Sequence, residues 1–275
     1  MILPASYANG FAPRDGQALY PELWKGCVGA WNPGLGPTGL VLRDWSGRGN
    51  HGTLTNMDAA TDWVKDGGRY ALDFDGANNG ANDAVLIGNP ARLAPVSVLT
   101  FSYWVLFRGA GTSVYPFASW SSAGGCFGAQ RNQAFYQISG GTQLSRTYSV
   151  TPSTGVWTHV AVCMKSQVPT INIYINGKLS NGTLSGSSTG NFNTFQPLAI
   201  GMLGTNTFGP LDGMVDDVWY YHRELSPKTH ELLASRRGIA YELAPRRRSR
   251  VSVLASLRYN IFTGNVGSLE VIGAS

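Results

Sequence analysis

Charge is scarce in this chain: Asp, Glu, Lys and Arg make up 13% of its 275 residues. Glutamate is scarcer still. The five glutamates are Glu22, Glu224, Glu231, Glu242 and Glu270, so none lies between positions 23 and 223. A retaining glycosidase holds two carboxyl groups about 5 Å apart, and the body of this chain has no glutamate for that task. Asp73 and Asp75 share a strand face, but they flank Phe74 just before a turn and read as turn or metal carboxylates. The GxSxG spacing occurs once, as "GSSTG" at residues 186–190, inside a glycine- and serine-rich stretch with no helix pattern after it, so no nucleophile elbow is read. His51, His159, His222 and His230 have no visible catalytic partners. Catalysis is not expected.

Cysteine is also sparse. Cys27, Cys126 and Cys163 are odd in number and far apart, without CxxC spacing. That excludes a disulfide framework or zinc knuckle and leaves buried thiols suited to a reducing compartment. No apolar run approaches the ~20 residues that span a bilayer. The opening "MILPASYANGFAPRDG" lacks a basic start followed by a long apolar core, so no secretion signal is expected.

What is present is glycine, 35 residues of it, and a rhythm of short β-rich segments. "GCVGAWNP", "YALDFDG", "DAVLIG", "LTFSYWVLF", "YPFASW", "AFYQIS", "WTHVAVCMK", "TINIYING", "PLAIGM" and "GMVDDVWYYHREL" are rich in β-branched and aromatic residues, and turn residues separate them. In "FSYWVLF" both faces are largely apolar, which predicts a central strand covered on both sides. Asn176-Gly177 predicts a type I′ hairpin, since both turn positions need positive φ. Many short strands with frequent turns predict an all-β, two-sheet antiparallel jelly-roll sandwich. One short helix is expected near residues 226–236, capped by Ser226 with Pro227 at its first position.

The chain divides into an N-terminal arm (1–25), the sandwich (26–235) and a C-terminal extension (236–275). Residues 1–235 carry 14 basic and 14 acidic side chains, whereas 236–275 carry seven arginines and two glutamates, so the tail supplies the net +5. A basic tail on a neutral body suits an acidic partner surface.

"DWSGRGNHGTLTN", residues 44–56, concentrates turn and ligand residues. No GK[ST] or GxGxxG precedes a helix, so it is not a phosphate loop. His51 lacks the spaced partners of a zinc site. As a corner, Gly47, Gly49 and Gly52 supply positive φ while Asp44, Ser46 and Asn50 bond turn backbone.

In their order, "LRDWSGRGNHGTLTN", "ALDFDG", "LTFSYWV", "GVWTHVAVCMK", "INIYINGKL", "LAIGM" and "LDGMVDDVWYYHRELSP" resemble the laminin-G-like, concanavalin-A-like jelly-roll family over roughly residues 26–235. The resemblance implies a binding role, often for carbohydrate and often with structural calcium. Asp44 and Asn50 would then join a carboxylate from the last body strand as oxygen ligands. Asp216 and Asp217 are adjacent and expected on opposite faces, so one of them would serve. A metal-free corner is the other reading. Trp120 and Phe208 are loop aromatics that suit either sugar stacking or the core.

"ALYPELWKGCVGAWNPGLGPTG" with "RRGIAYELAPRRR" further resembles laminin-G-like proteins of tailed bacteriophages. This implies a structural subunit of a virion, a decoration, cement or tail-associated protein attached through its termini and made in the host cytoplasm. Its partners would be capsid proteins and copies of itself, not membrane or nucleic acid. Arg246, Arg247, Arg248 and Arg250 would pair with partner carboxylates. The alternative is a carbohydrate-binding or adhesion module of lectin type.

Overall fold

The computed structural model describes residues 18–78, 80–95, 97–120, 125–138, 141–190, 192, 196–204 and 208–243. They form a sandwich of two antiparallel sheets with one α-helix. Seventeen strands build it: β1 (Cys27–Trp31), β2 (Val41–Leu42), β3 (Gly52–Thr55), β4 (Trp63–Asp66), β5 (Arg69–Asp75), β6 (Ala84–Gly88), β7 (Val98–Phe107), β8 (Phe117–Ser119) and β9 (Cys126–Ala129) in the first half, then β10 (Gln133–Gln137), β11 (Gln143–Tyr148), β12 (Thr158–Lys165), β13 (Thr170–Ile175), β14 (Lys178–Leu179), β15 (Asn181–Gly186), β16 (Leu198–Ile200) and β17 (Asp212–Tyr221).

One sheet has eight strands in the order β14-β13-β12-β7-β17-β5-β4, with β1 also paired to β17; the other has nine, β15-β11-β10-β9-β8-β16-β6-β3-β2. As its two apolar faces predict, β7 lies inside its sheet, between β12 and β17. Phe101, Tyr103, Val105 and Phe107 point from β7 into the core. They meet Phe117, Phe127 and Tyr136 of the nine-stranded sheet, with Phe101 and Phe117 ring centroids 4.9 Å apart. Asn176 and Gly177, at φ 49° and 79°, make the tight β13–β14 turn. The helix α1 spans Pro227–Leu233, and Ser226 caps it by accepting from Thr229 N at 3.2 Å.

Residues 18–25 and 236–243, assigned on sequence to the extensions, pack onto the outer side of the eight-stranded sheet. Leu23, Trp24, Ile239, Ala240 and Tyr241 gather there with Trp45, Trp219 and Tyr221. Leu19 N donates to Glu242 O at 2.7 Å, and Trp24 Nε1 to Ala240 O at 3.0 Å. Arg246, Arg247, Arg248 and Arg250 lie outside the described residues.

Strand alternation fails at one informative place. Val215 and Val218 of β17 both face the main core, although they are three residues apart. A bulge between Asp216 and Trp219, with Asp217 at φ 54°, inserts an extra residue. The expectation that Asp216 and Asp217 point to opposite faces is therefore corrected: both carboxylates lie on the same side, between Arg69, Arg237 and Gly238.

Candidate functional site

The residues expected to ligate calcium have other employment. Asp44 is fully buried, and its carboxylate accepts from Ala30 N at 3.0 Å, Ser46 N at 2.9 Å, Ser46 Oγ at 2.8 Å and Asn50 N at 2.8 Å. Asn50 Oδ1 accepts from Arg92 Nε, while its Nδ2 donates to Val28 O at 2.8 Å. Asp216 accepts from Gly34 N at 3.2 Å and Arg69 Nε at 3.4 Å, and Arg237 stands 4.0 Å away. Asp217 accepts from Trp219 Nε1 at 2.9 Å and Gly238 N at 2.7 Å. Burial, and for Asp217 the neighbouring Asp216, push both carboxyls above the ordinary range. Calcium needs six to eight oxygen ligands with free lone pairs. Here the lone pairs are spent on donors, two of them guanidinium groups, and the four residues do not fit the ion as a set. Among the described residues no three His, Cys, Asp or Glu side chains are grouped to hold a metal. The Asp44 stretch is a staple that fixes its turn to β1.

Asp73 and Asp75 are likewise occupied. Arg108 pairs with Asp73 and, at 2.7 Å, with Asp212, while Asp75 Oδ1 accepts from Ala77 N at 2.8 Å. Beside them Asp83 is pushed up to about 6 by burial and the adjacent Asp75.

A different surface collects binding chemistry. On the outer face of the nine-stranded sheet, the strand registers line up one residue from each strand: Val41, Thr53, Leu86, Ala199, Ala118, Gly128, Phe135, Ser145 and Ser185. The middle of this row is Ala, Ala, Gly. A Cβ on Gly128 would stand 2.7 Å from that of Ala118, so the floor there is as low as side chains allow. Segments flanking β8 and following β16 fold over this low floor and bring Tyr115, Trp120 and Leu203 against Phe135 and Cys126. Gly209, at φ 65°, makes the approach: its carbonyl accepts from Tyr115 N at 3.1 Å, and a Cβ there would stand 2.4 Å from the tyrosine ring.

Phe208 projects from the rim. Its ring centroid is 6.4 Å from that of Tyr115, yet the side chain remains 54% exposed. Trp120, half-buried, packs on the same cluster. The two loop aromatics singled out from sequence, 88 positions apart, thus both pack on the cluster that contains Tyr115.

Amides surround the aromatics. By alternation Gln133 and Gln137 share the outer face with Phe135, one on each side along β10. Gln133 Nε2 donates to Gln130 Oε1 at 2.6 Å, and Gln130 Nε2 donates to Tyr115 Oη at 2.6 Å. Gln137 Nε2 donates to Gly141 O at 2.7 Å and borders a small depression that runs from Gly125, Cys126 and Ile138 to Pro95 and the core residues Phe127 and Phe192. Burial pushes the Tyr115 phenol up and the Cys126 thiol up to about 11, so both stay neutral. An exposed ring beside neutral amides can pack against an apolar C–H face while the amides meet hydroxyls. Sequence reasoning missed Phe135 and the three glutamines because only the folded packing of β10 against the Tyr115 segment brings them together.

Known proteins with this architecture include carbohydrate binders. Domain 4 of AbnA, an extracellular GH43 arabinanase from Geobacillus stearothermophilus solved in complex with arabinotriose, superposes with a TM-score of 0.56 at 17% identity, covering 79% of this chain and 99% of that one. The binding domain of Paraclostridial Mosquitocidal Protein 1 gives a TM-score of 0.55 at 13% identity, over 77% of this chain and 52% of that one. The binding domain of botulinum neurotoxin DC, solved with SialylT, gives 0.52 at 13% identity with the same coverages, 77% and 52%. This chain thus spans about half the length of those toxin domains. At such identities the likeness is one of fold. No curated protein gives a significant sequence match. The sequence profile of Laminin_G_3, described as the concanavalin A-like lectin/glucanases superfamily, matches residues 79–229, more than half of the chain. The chain belongs to this laminin-G-like, concanavalin-A-like family.

Proposed function

We propose that this protein is a non-catalytic carbohydrate-binding module and that sugar docks on the outer face of the nine-stranded sheet. The carrying observation is the patch itself. Phe208 is a large exposed ring held against Tyr115, whose cluster also takes in Phe135 and the half-buried Trp120, and Gln133 and Gln137 flank Phe135 along β10. Sugar rings have apolar C–H faces that pack on aromatics, and hydroxyl rims that amides can meet as both donors and acceptors. The arabinotriose complex of a domain with this fold supports the reading. The absence of glutamate between positions 23 and 223, and the engagement of Asp73 with Arg108, support a non-catalytic role.

The virion-subunit expectation rests on the resemblance carried by residues 18–39 and 236–248 and on the basic extension 236–275, and the similar solved structures speak for carbohydrate binding instead. Affinity electrophoresis in gels containing soluble polysaccharides tests the proposal. Retardation of the wild-type chain by at least one polysaccharide, lost in Phe208→Ala and Trp120→Ala, is the expected outcome. Equal mobility of all three proteins in every gel would refute it.

A further inference from the structure

From Gly109 to Leu211 the chain contains no Asp or Glu, and its only Lys and Arg residues are Arg131, Arg146, Lys165 and Lys178. This run supplies Tyr115, Trp120, Gln130, Gln133, Phe135, Gln137, Leu203 and Phe208. None of its four cations is free to serve the patch. Arg131 donates to Ala110 O at 2.8 Å and Pro152 O at 2.9 Å, with its guanidinium over the Phe107 ring. Arg146 is on β11 with its Nη1 donating to Gly182 O at 3.2 Å. Lys165 pairs with Glu224 at 2.6 Å, and Lys178 belongs to β14; both strands are in the other sheet. The charges that border the run, Arg108 and Asp212, are paired with each other at 2.7 Å.

We propose that the patch selects neutral oligosaccharides and binds them without ionic help; this rests on the carbohydrate reading and names its ligand class. A sugar bearing a carboxylate or sulfate would lose part of its hydration here and gain no cation in return. A neutral sugar loses hydroxyl hydration that glutamine amides restore. The side chains offered, the Gln133 and Gln137 amides and the Phe208 ring, are of the kinds that recognise hydroxyls and C–H faces regardless of salt. A lectin mode in which calcium bridges sugar to protein needs carboxylates at the site, and this run provides none.

Titration calorimetry of the full chain tests the proposal with two ligand sets: neutral arabino-, gluco- and galacto-oligosaccharides, and sialylated, sulfated and uronic-acid oligosaccharides of similar length. At least one neutral sugar binds, and its Kd changes less than about twofold between low and high salt. Phe208→Ala weakens it about tenfold, in line with the loss of one stacked ring, and Phe208→Trp restores it. Acidic sugars binding tighter than every neutral one, with affinity that falls as salt rises, would overturn the neutral class while leaving carbohydrate binding intact. Binding by neither set would overturn both.

Discussion

Single residues carry unusual weight where a buried polar group organises backbone. Asp44 is the clearest case. Its glycine-rich stretch suggested either a metal loop or a corner, and the carboxylate's four donors identify a corner. Asp44→Ala would leave buried N–H groups of Ala30 and Asn50 without partners. A loss of about 3 kcal/mol or more is expected, read as a lower urea midpoint. Asp44→Asn keeps the acceptor on one side and should cost less.

His230 is a second case. It lies fully buried on the inner side of α1, stacked on Tyr174 with centroids 3.9 Å apart, and among the described residues neither ring nitrogen finds a hydrogen-bond partner. Burial lowers its pKa to about 4, and burial with the neighbouring His230 lowers that of His159 to about 3. The unfolded chain takes up these protons below an ordinary histidine value of about 6.5, whereas the fold resists them. Stability therefore falls as pH drops from about 6.5 towards 4. Asp83, pushed up to about 6, acts oppositely, because the fold takes its proton before the unfolded chain does. His230→Phe keeps the ring stack and removes the titration. Its stability relative to wild type should rise by on the order of 2 kcal/mol between pH 7.5 and pH 4.5, measured by thermal melts at both. An unchanged difference would mean that His230 is not held neutral.

At the scale of elements, the sequence was most legible where a strand is long and apolar and least where it is short or exposed. β7, β12, β13 and β17 announced themselves by β-branched and aromatic runs. β9, in "GCFGA", has too little periodicity beside its glycines, β11 mixes polar residues into an inner strand, and β15 is a polar, exposed edge. β3 was hidden inside the corner, since Gly52–Thr55 looks like turn sequence until it pairs with β6. The bulge in β17 was illegible because alternation assumes an unbroken ladder, and only pairing with β7 shows the inserted residue.

That bulge has an energetic role. It brings Asp216 and Asp217 together, and Arg69 and Arg237 answer them. Arg237 also pairs with Asp66 at 2.9 Å and lies over the Trp157 ring, 4.1 Å from its centroid. Arg237→Met would leave Asp216 underpaired in the interior and should cost about 3 kcal/mol. Hydrogen exchange should accelerate first in residues 236–243, which this arginine helps hold to the sheet. Uniform acceleration across the sandwich would instead mean that Arg237 stabilises the fold only globally.

For the whole molecule, the described ends belong to the body. Ile239, Ala240 and Tyr241 are buried on the outer side of the eight-stranded sheet, against Trp24 and Trp219. A chain ending at Leu243 should melt as cooperatively as the full protein. One ending at Ser235 exposes Trp219 and Tyr221 and should lose several kcal/mol, at ~2 kcal/mol for each buried side chain removed. Equal melting temperatures for the two truncations would show that this packing contributes little.

The two faces of the sandwich thus differ in kind. The outer side of the eight-stranded sheet is closed by the terminal segments and α1. The outer side of the nine-stranded sheet keeps an exposed ring among neutral amides. The most direct test is a titration of isotope-labelled protein with a neutral oligosaccharide, followed through the Trp120 indole N–H and the Gln133 and Gln137 side-chain amides. Those three signals should shift together with one Kd, while the indole signals of the buried Trp31 and Trp219 stay in place. Shifts confined to the Asp44 corner or to the face carrying Trp24 and Tyr241, with Trp120 unmoved, would contradict the assignment of the site.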